Sequence, residues 1–258
     1  MTRKLEEASE IQKLKGAEII LADFNDPKSL HNVLTGMKHA FLLCSSSAKA
    51  EQLQLNFVAA AKAKGLEHLV KLSQLHADIN SPVRFLRYHA KVEDAIEKAG
   101  IAYTFLRPNL FMQGLLGFKI PIARKGKFFA TIGDAKVSLI DIRDIAAVII
   151  ETLQGKSHYN KIYNLTGPEA LTHDELAYKF SKALGKPVKY INVFDEELQS
   201  TLLVVGFPDW QANGLIEDYA HYARGEAETV TGDIKFVTGK KPRSFEEFLK
   251  SYGHFFQV

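Results

Sequence analysis

Continuous apolar runs alternate with helix-spaced patterns through the first hundred residues. Glu18-Ile19-Ile20-Leu21-Ala22, His39-Ala40-Phe41-Leu42-Leu43-Cys44, His68-Leu69-Val70-Lys71-Leu72 and Ala102-Tyr103-Thr104-Phe105-Leu106-Arg107 read as strands. Their unbroken apolar character predicts strands covered on both faces. Between them, residues 27–36 predict a helix with Pro27 near its start and Gly36 at its end. Residues 51–64 set Leu53, Phe57, Val58 and Ala61 at helical spacing and stop at Gly65. Residues 82–99 predict a further helix ending at Gly100. This alternation predicts βαβ units with right-handed crossovers in a parallel sheet.

Beyond Pro108, which should break the fourth strand, the pattern loosens. Residues 136–140 predict a short strand leading into a helix over 141–153, and 161–165 another strand. Thr172 and Glu175 form a capping-box pair that opens an amphipathic helix to Leu184. A strand over 188–193 and a mostly helical stretch over 195–222 follow, then a polar segment after Gly225. Ser244 opens a last helix with Phe245, Phe248, Leu249 and Tyr252 on one face. There is no internal repeat and no long linker. The expected fold is α/β: a Rossmann-like, doubly wound parallel sheet with a small α+β C-terminal lobe woven onto it.

Composition narrows the function classes. The 258 residues are 46% hydrophobic and 24% charged, which suits a globular protein and not a disordered or collagenous one. Lys plus Arg exceeds Asp plus Glu by 33 − 30 = +3, and no basic run asks for nucleic acid. Cys44 is the single cysteine, so no intrachain disulfide forms. No apolar stretch is long enough to span a membrane, and residues 1–15 are charged, so a cytoplasmic protein is expected. No metal-ligand spacing, Walker A loop or Gly-x-Ser-x-Gly elbow is present.

Several motifs then combine. Thr2-Arg3-Lys4, Gly16 through Asp26, Ser29-Leu30, Phe41-Leu42-Leu43 with its serine-rich turn, and Ser73-Gln74-Leu75-His76-Ala77-Asp78 keep a common order. The most specific stretch is 89–112, with His89, Val92-Glu93, Gly100-Ile101, Tyr103-Thr104, Leu106-Arg107-Pro108-Asn109 and Phe111-Met112; Asp141-Ile142-Arg143-Asp144-Ile145-Ala146 adds to it. Over roughly residues 2–200 the chain resembles the NmrA-like family of atypical short-chain dehydrogenase/reductases. It is similar to that family's NAD(P)H:quinone oxidoreductase branch. The resemblance implies a core over 1–145 that binds NADP(H), with its first βαβ unit incomplete, and a substrate lobe over 146–258.

The departure is at the start. Family members open with a strand, a Gly-x-x-Gly-x-x-Gly turn, a helix and a second strand, whereas none of the 17 glycines here makes that turn in a strand-turn-helix context. Gly114-Leu115-Leu116-Gly117 lies elsewhere in the pattern. The turn normally brings backbone N–H groups to a pyrophosphate at a helix N-terminus. In the doubly wound order, loss of two strands would part 18–22 from 39–44 by about 14 Å, against about 4.8 Å for neighbours. A truncated sequence, a degenerate paralogue with rearranged packing, or a need for a partner segment would each account for this.

Each candidate residue has a structural reading beside its functional one. Arg3 sits where the family places a basic residue for the 2′-phosphate of NADPH; it also reads as a solvated arginine. Asp23 and Phe24 imply adenine contacts, or a turn cap and a packed ring. Cys44 and Ser45 end a strand at the edge where such sheets bind ligands, or form a serine-rich turn. Lys71 on a strand must be exposed or paired. Ser73 and His76 are placed to hydrogen-bond a substrate carbonyl, or are loop residues. Tyr88 and Lys91 resemble the superfamily's Tyr-x-x-x-Lys proton-donor dyad with one residue fewer; three apart, they share a helix face. His89 and Glu93 are spaced to meet one another. Pro108 and Asn109 imply contacts to the nicotinamide end of the cofactor, or a structural strand exit.

Two functions follow from the resemblance. One is an NAD(P)H-dependent reductase of a quinone or small carbonyl compound, with hydride supplied by the cofactor. The other is a non-catalytic NADP(H)-sensing or protein-interaction regulator. A small-molecule substrate, no nucleic acid, no membrane, and a homodimer or partner protein complete the expectation.

Overall fold

The computed structural model describes residues 1–2 and 8–257, so Arg3 lies outside the described residues. Four parallel strands form the main sheet: β1 (His39–Leu42), β2 (His68–Leu72), β3 (Ala102–Pro108) and β5 (Lys161–Leu165), in the order β1-β2-β3-β5. The short helices α1 (Ser9–Gln12) and α2 (Pro27–Leu34) precede it. Helices α3 (Ala50–Ala63) and α4 (Arg84–Ala99) cross between successive strands, and α6 (Ile142–Leu153) leads into β5.

Side chains alternate across a strand, so the two faces bury different sets. Leu42, Leu69 and Phe105 pack against Phe57, Val58 and Ala61 of α3 and Val92 and Ile96 of α4. Val70, Leu106 and Tyr163 face Ile145 and Val148 of α6 instead. Both faces are covered, as the continuous apolar runs require. Each large apolar side chain so buried contributes about 1.5–3 kcal/mol. The doubly wound parallel architecture is therefore present.

The lobe pairs β4 (Lys127–Ala130) with β6 (Lys189–Asn192), also in parallel. Around it lie a 3-10 helix (Met112–Phe118), α5 (Lys119–Lys125), α7 (His173–Leu184), α8 (Asp195–Val204), α9 (Asp209–Ala223) and α11 (Phe245–Tyr252), whereas α10 (Asp233–Thr238) packs on α6 and β5 with Ile234 in the sheet's core. Its core gathers Phe128, Phe180, Phe245, Phe248 and Phe256 with Met112, Ile132 and Leu139. The chain thus enters the lobe near residue 112, returns through α6 and β5 to the sheet, and leaves again. The Thr172–Glu175 capping box forms as expected, and Ser244 with Glu247 makes a second one.

Three expectations are corrected. Residues 18–22 do not form a strand; only Leu21 bridges Thr2, with Thr2 N–H donating to Ile20 O and Ala22 N–H to Thr2 O, each at 3.0 Å. That bridge is not joined to β1, which pairs only with β2 among the described residues. Residues 136–140 contribute isolated bridges, Phe111 to Ile140 and Val137 to Leu171, and no strand. Strand β3 runs through Pro108, which sits opposite Leu165; its carbonyl accepts from Leu75 N–H at 2.9 Å, so the missing proline N–H breaks nothing. The stretch 195–222 is mostly helical as expected, in two helices parted where Gly206 turns with φ +95° and Pro208 follows.

Helix α9 lies close against α4 because position 214 is glycine. A Cβ there would fall 2.4 Å from the Phe85 ring. This approach brings α9 over the loops that leave the carboxyl ends of β1 and β2.

Candidate functional site

The carboxyl ends of β1, β2 and β3 lie side by side, and the predicted residues after them converge there. Lys71, near the end of β2, sits opposite Leu42 of β1 and Phe105 of β3 and is completely buried. Its Nζ lies 2.7 Å from His89 Nδ1 on α4 and 3.1 Å from its own strand's Leu72 carbonyl, to which it donates. Burial pulls the lysine down to about 7, against the attraction of Glu93. Burial also holds His89 well below the usual histidine range, and the Lys71 charge adds to that. His89 is therefore neutral and accepts at Nδ1, which leaves its own proton on Nε2.

The predicted His89–Glu93 pair does not form. His89 turns to Lys71, and Glu93 takes Arg107 of β3 at 2.5 Å in a two-armed pair. A side chain on the facing strand is nearer to each than the next turn of its own helix.

Beyond Lys71, the Ser73 N–H donates to Leu106 O at 2.7 Å, while its buried hydroxyl has no hydrogen-bond partner. After β1, Cys44 is half-buried with its thiol 3.6 Å from Ser45 O, and Ser45 is exposed. Ser46 Oγ is buried beside the Tyr88 phenol without a well-formed hydrogen bond. Two buried hydroxyls are thus left over at adjoining strand ends.

The end of β3 differs. Asn109 is buried, and its amide donates to Ser138 Oγ and to Ala227 O, both at 2.8 Å, while its Oδ1 accepts from Leu110 N–H. Its side chain joins the sheet to the lobe. Asp23 Oδ1 accepts from Asn25 N–H at 2.8 Å in a local turn. The Phe24 ring meets Phe57 of α3 edge-on at 5.7 Å.

Tyr88 and Lys91 share a face of α4 but do not form a hydrogen bond. Tyr88 stacks on His89 at 4.2 Å, and burial pushes its phenol up to about 12, opposite to the lowering that a Tyr–Lys proton donor needs. Lys91 pairs with Glu51 of α3 at 3.2 Å.

Sequence reasoning did not single out Asp218. Asp218 of α9 is buried and accepts from Gln74 Nε2 at 2.9 and 3.0 Å and from the Tyr222 hydroxyl at 2.8 Å. Burial raises its carboxyl to about 6, although the Tyr222 and Gln74 hydrogen bonds oppose this. The group ties α9 to the loop after β2. In that loop His76 holds a left-handed backbone, φ +62°, with its ring edge-on to His221 at 5.7 Å. A non-glycine residue there is strained, and such strain gathers at ligand sites. Asp218 and Tyr222 at i, i+4 were the available sequence signal.

Among the described residues no cluster of His, Cys, Asp and Glu is arranged to hold a metal ion, and no helix is long and apolar enough to cross a membrane.

Comparison with known proteins adds to this geometry. The sequence model of the NmrA-like family matches residues 1–249. An NAD(P)H azoreductase of Xenophilus azovorans is 33% identical over 238 residues, which cover 92% of this chain and 83% of that protein. The crystal structure of an NADPH-dependent quinone oxidoreductase from Escherichia coli, complexed with NADPH, superposes with a TM-score of 0.88 at 26% identity, covering 97% of this chain and 88% of that one. The negative transcriptional regulator NmrA is 17% identical, with a TM-score of 0.72 over 93% of this chain and 82% of its own, and shares the fold.

Proposed function

The chain belongs to the NmrA-like family, and on that premise we propose that it is an NADPH-dependent reductase of a quinone or other small carbonyl compound. The observation that carries this reading is the buried, unpartnered Ser73 hydroxyl at the end of β2, two residues from the buried Lys71. A buried hydroxyl without a partner is costly, and a ligand oxygen or amide would satisfy it. Open parallel sheets bind their ligands at this edge. The azoreductase and quinone oxidoreductase relatives support the same chemistry.

The residues present fit a nicotinamide end. Ser73 and the Cys44–Ser46 loop, with the backbone beyond Pro108, would hold it, and the bound cofactor supplies a hydride. Ser73 then donates a hydrogen bond to the ligand group placed against it. Lys71, at about 7, carries its proton for part of the time at neutral pH and passes between charged and neutral beside an anion formed at the site. His89 accepts from it and fixes the ammonium in place. The Gln74–Asp218–Tyr222 group holds α9 down over the strand ends and excludes water. Phosphate anchoring is the open demand, because the sequence has no Gly-x-x-Gly-x-x-Gly turn.

The test is a titration of the 258-residue chain with NADPH, following nucleotide fluorescence beside a thermal melt. Saturable micromolar binding with a raised Tm, followed by quinone-dependent NADPH oxidation, is the expected result. A cooperatively unfolding chain that ignores millimolar NADPH would overturn the reading and favour an interaction role.

A further inference from the structure

We infer that Cys44 is a nucleophile towards conjugated carbonyl compounds: its sulfur adds to the carbon–carbon double bond of an enone or quinone whose oxygen is held by Lys71 and Ser73. The inference goes beyond the reductase reading, because the addition needs no nucleotide and no hydride.

Strand register brings the three side chains together. Leu42 of β1 pairs with Lys71 of β2, and two residues on, Cys44 and Ser73 follow at the same offset. Residues two apart on a strand share a face, so Cys44 stands on the face of Leu42 and Ser73 on that of Lys71. Leu42 packs with Phe57 of α3, and Lys71 reaches His89 of α4, on the same side of the sheet. Adjacent strands lie about 4.8 Å apart, which gathers thiol, ammonium and hydroxyl around one small space. A thiolate at Cys44 supports the charge on Lys71, as such closeness requires. Cys44 is half-buried between the exposed Leu43 and Ser45, so a reagent arrives from the open end of the strand.

Lys71 favours the thiolate in both of its forms. As an ammonium it attracts the anion, and as an amine it takes the proton. An ammonium has three N–H groups, and those of Lys71 spend two, on His89 Nδ1 and Leu72 O. The neighbouring groups leave it this role. Glu93 is taken by Arg107, His89 is kept neutral by burial, and burial holds the Tyr88 phenol protonated. The independent sign of a ligand is Ser73, which is 4% exposed and whose hydroxyl has no partner. It lacks an acceptor, and the oxygen of a conjugated carbonyl compound gains negative charge as the addition proceeds. No further reagent is needed. The thiol gives its proton to the Lys71 amine, sulfur bonds to the β carbon, and the double-bond electrons move to the carbonyl oxygen. The proton then passes from Lys71 to the enolate. One thiol and one enone give one thioether; a quinone gives the hydroquinone thioether in the same way.

Cys44 is the single cysteine of the chain, so intact mass reads addition at one thiol, with Cys44→Ser as the blank. The chain is treated without nucleotide with methyl vinyl ketone and, separately, with iodoacetamide, whose loss of iodide puts no charge on an oxygen. N-acetylcysteine supplies the reference rates. At neutral pH we expect the ketone to add to the chain at least about tenfold faster than to N-acetylcysteine, and this gain to exceed that with iodoacetamide. The pH of half-maximal iodoacetamide rate should lie at least about one unit below the roughly 8.5 of an ordinary thiol. Lys71→Met should lose the gain with both reagents, and Ser73→Ala should slow the ketone alone. Thermal melts that match the parent show that these losses are of reactivity. A ketone rate no faster than that of N-acetylcysteine, an ordinary thiol midpoint, an equal gain with both reagents, or an undiminished rate in a well-folded Lys71→Met would each overturn the inference. The two readings fail separately. Accelerated addition by a chain blind to NADPH keeps this site and removes the reductase, whereas quinone-dependent NADPH oxidation by a chain with an ordinary Cys44 does the reverse.

Discussion

Strands β2 and β3 are neighbours in the same sheet, and their carboxyl ends carry equally polar residues, yet the polar atoms are handled in opposite ways. At the end of β3, Arg107 is matched by Glu93, and the Asn109 side chain makes three hydrogen bonds. At the end of β2, Lys71 is buried with only a neutral imidazole and a carbonyl as acceptors, and the Ser73 hydroxyl has no partner. A protein interior satisfies nearly all its buried polar groups, so the exceptions carry information. The saturated end reads as a joint between sheet and lobe. The unsaturated end reads as a place prepared for something else.

The largest effect that would sharpen this contrast concerns Lys71. Its folded value near 7 lies below the 10.5 of the exposed side chain, so between these pH values the unfolded chain binds more protons. Stability should therefore rise with pH from about 7 towards 10.5, by roughly 2–4 kcal/mol from this group. Lys71→Met should abolish that rise. Urea midpoints of parent and variant at pH 6.5, 8 and 9.5 measure the difference. Parallel profiles would mean that Lys71 reaches water, and the β2 end would then resemble an ordinary surface.

How much of this was legible in the sequence depends on how far apart the interacting residues lie. Strand β5 and helix α7 stand where the pattern puts them, because a short apolar run and the Thr172–Glu175 pair are local signals. Strand β4 escaped notice: four residues after Gly126, away from the βαβ rhythm, give little periodicity, and what makes them a strand is pairing with Lys189–Asn192. Helix α10 was hidden in a polar segment, where Ile234 alone is buried. Residues 18–22 show the converse, an apolar run that reads as a strand and finds only the Thr2 bridge. In the site, the requirement that Lys71 be exposed or paired was readable, but not its partner, because His89 reaches it from the following helix. Ser73 stands out in the motif, and its lack of a partner is visible only in three dimensions.

A smaller effect tests the saturated end. Asn109→Ala removes three hydrogen bonds; Ser138 keeps Thr229 O and Ala227 O keeps the Ser138 N–H, while the Leu110 N–H is left unmatched. The expected loss is about 2–3 kcal/mol, read from the urea midpoint. If Asn109 instead serves mainly a ligand, stability will hold while NADPH affinity falls, and the division between the two strand ends disappears.

The smallest stability change is the most decisive. Ser73→Ala deletes a buried hydroxyl that has no partner, so nothing in the chain loses a hydrogen bond and a desolvated polar atom is removed. Stability should stay within about 0.5 kcal/mol of the parent or rise slightly. The same variant should bind NADPH, or the carbonyl compound beside it, several-fold more weakly, because the ligand loses the buried hydroxyl donor just past β2. The opposite pattern, a loss of stability comparable with that of Asn109→Ala and no change in ligand affinity, would show that the hydroxyl is satisfied within the folded chain. The ends of β2 and β3 would then be alike, and the strand-end site would lose the observation on which it stands.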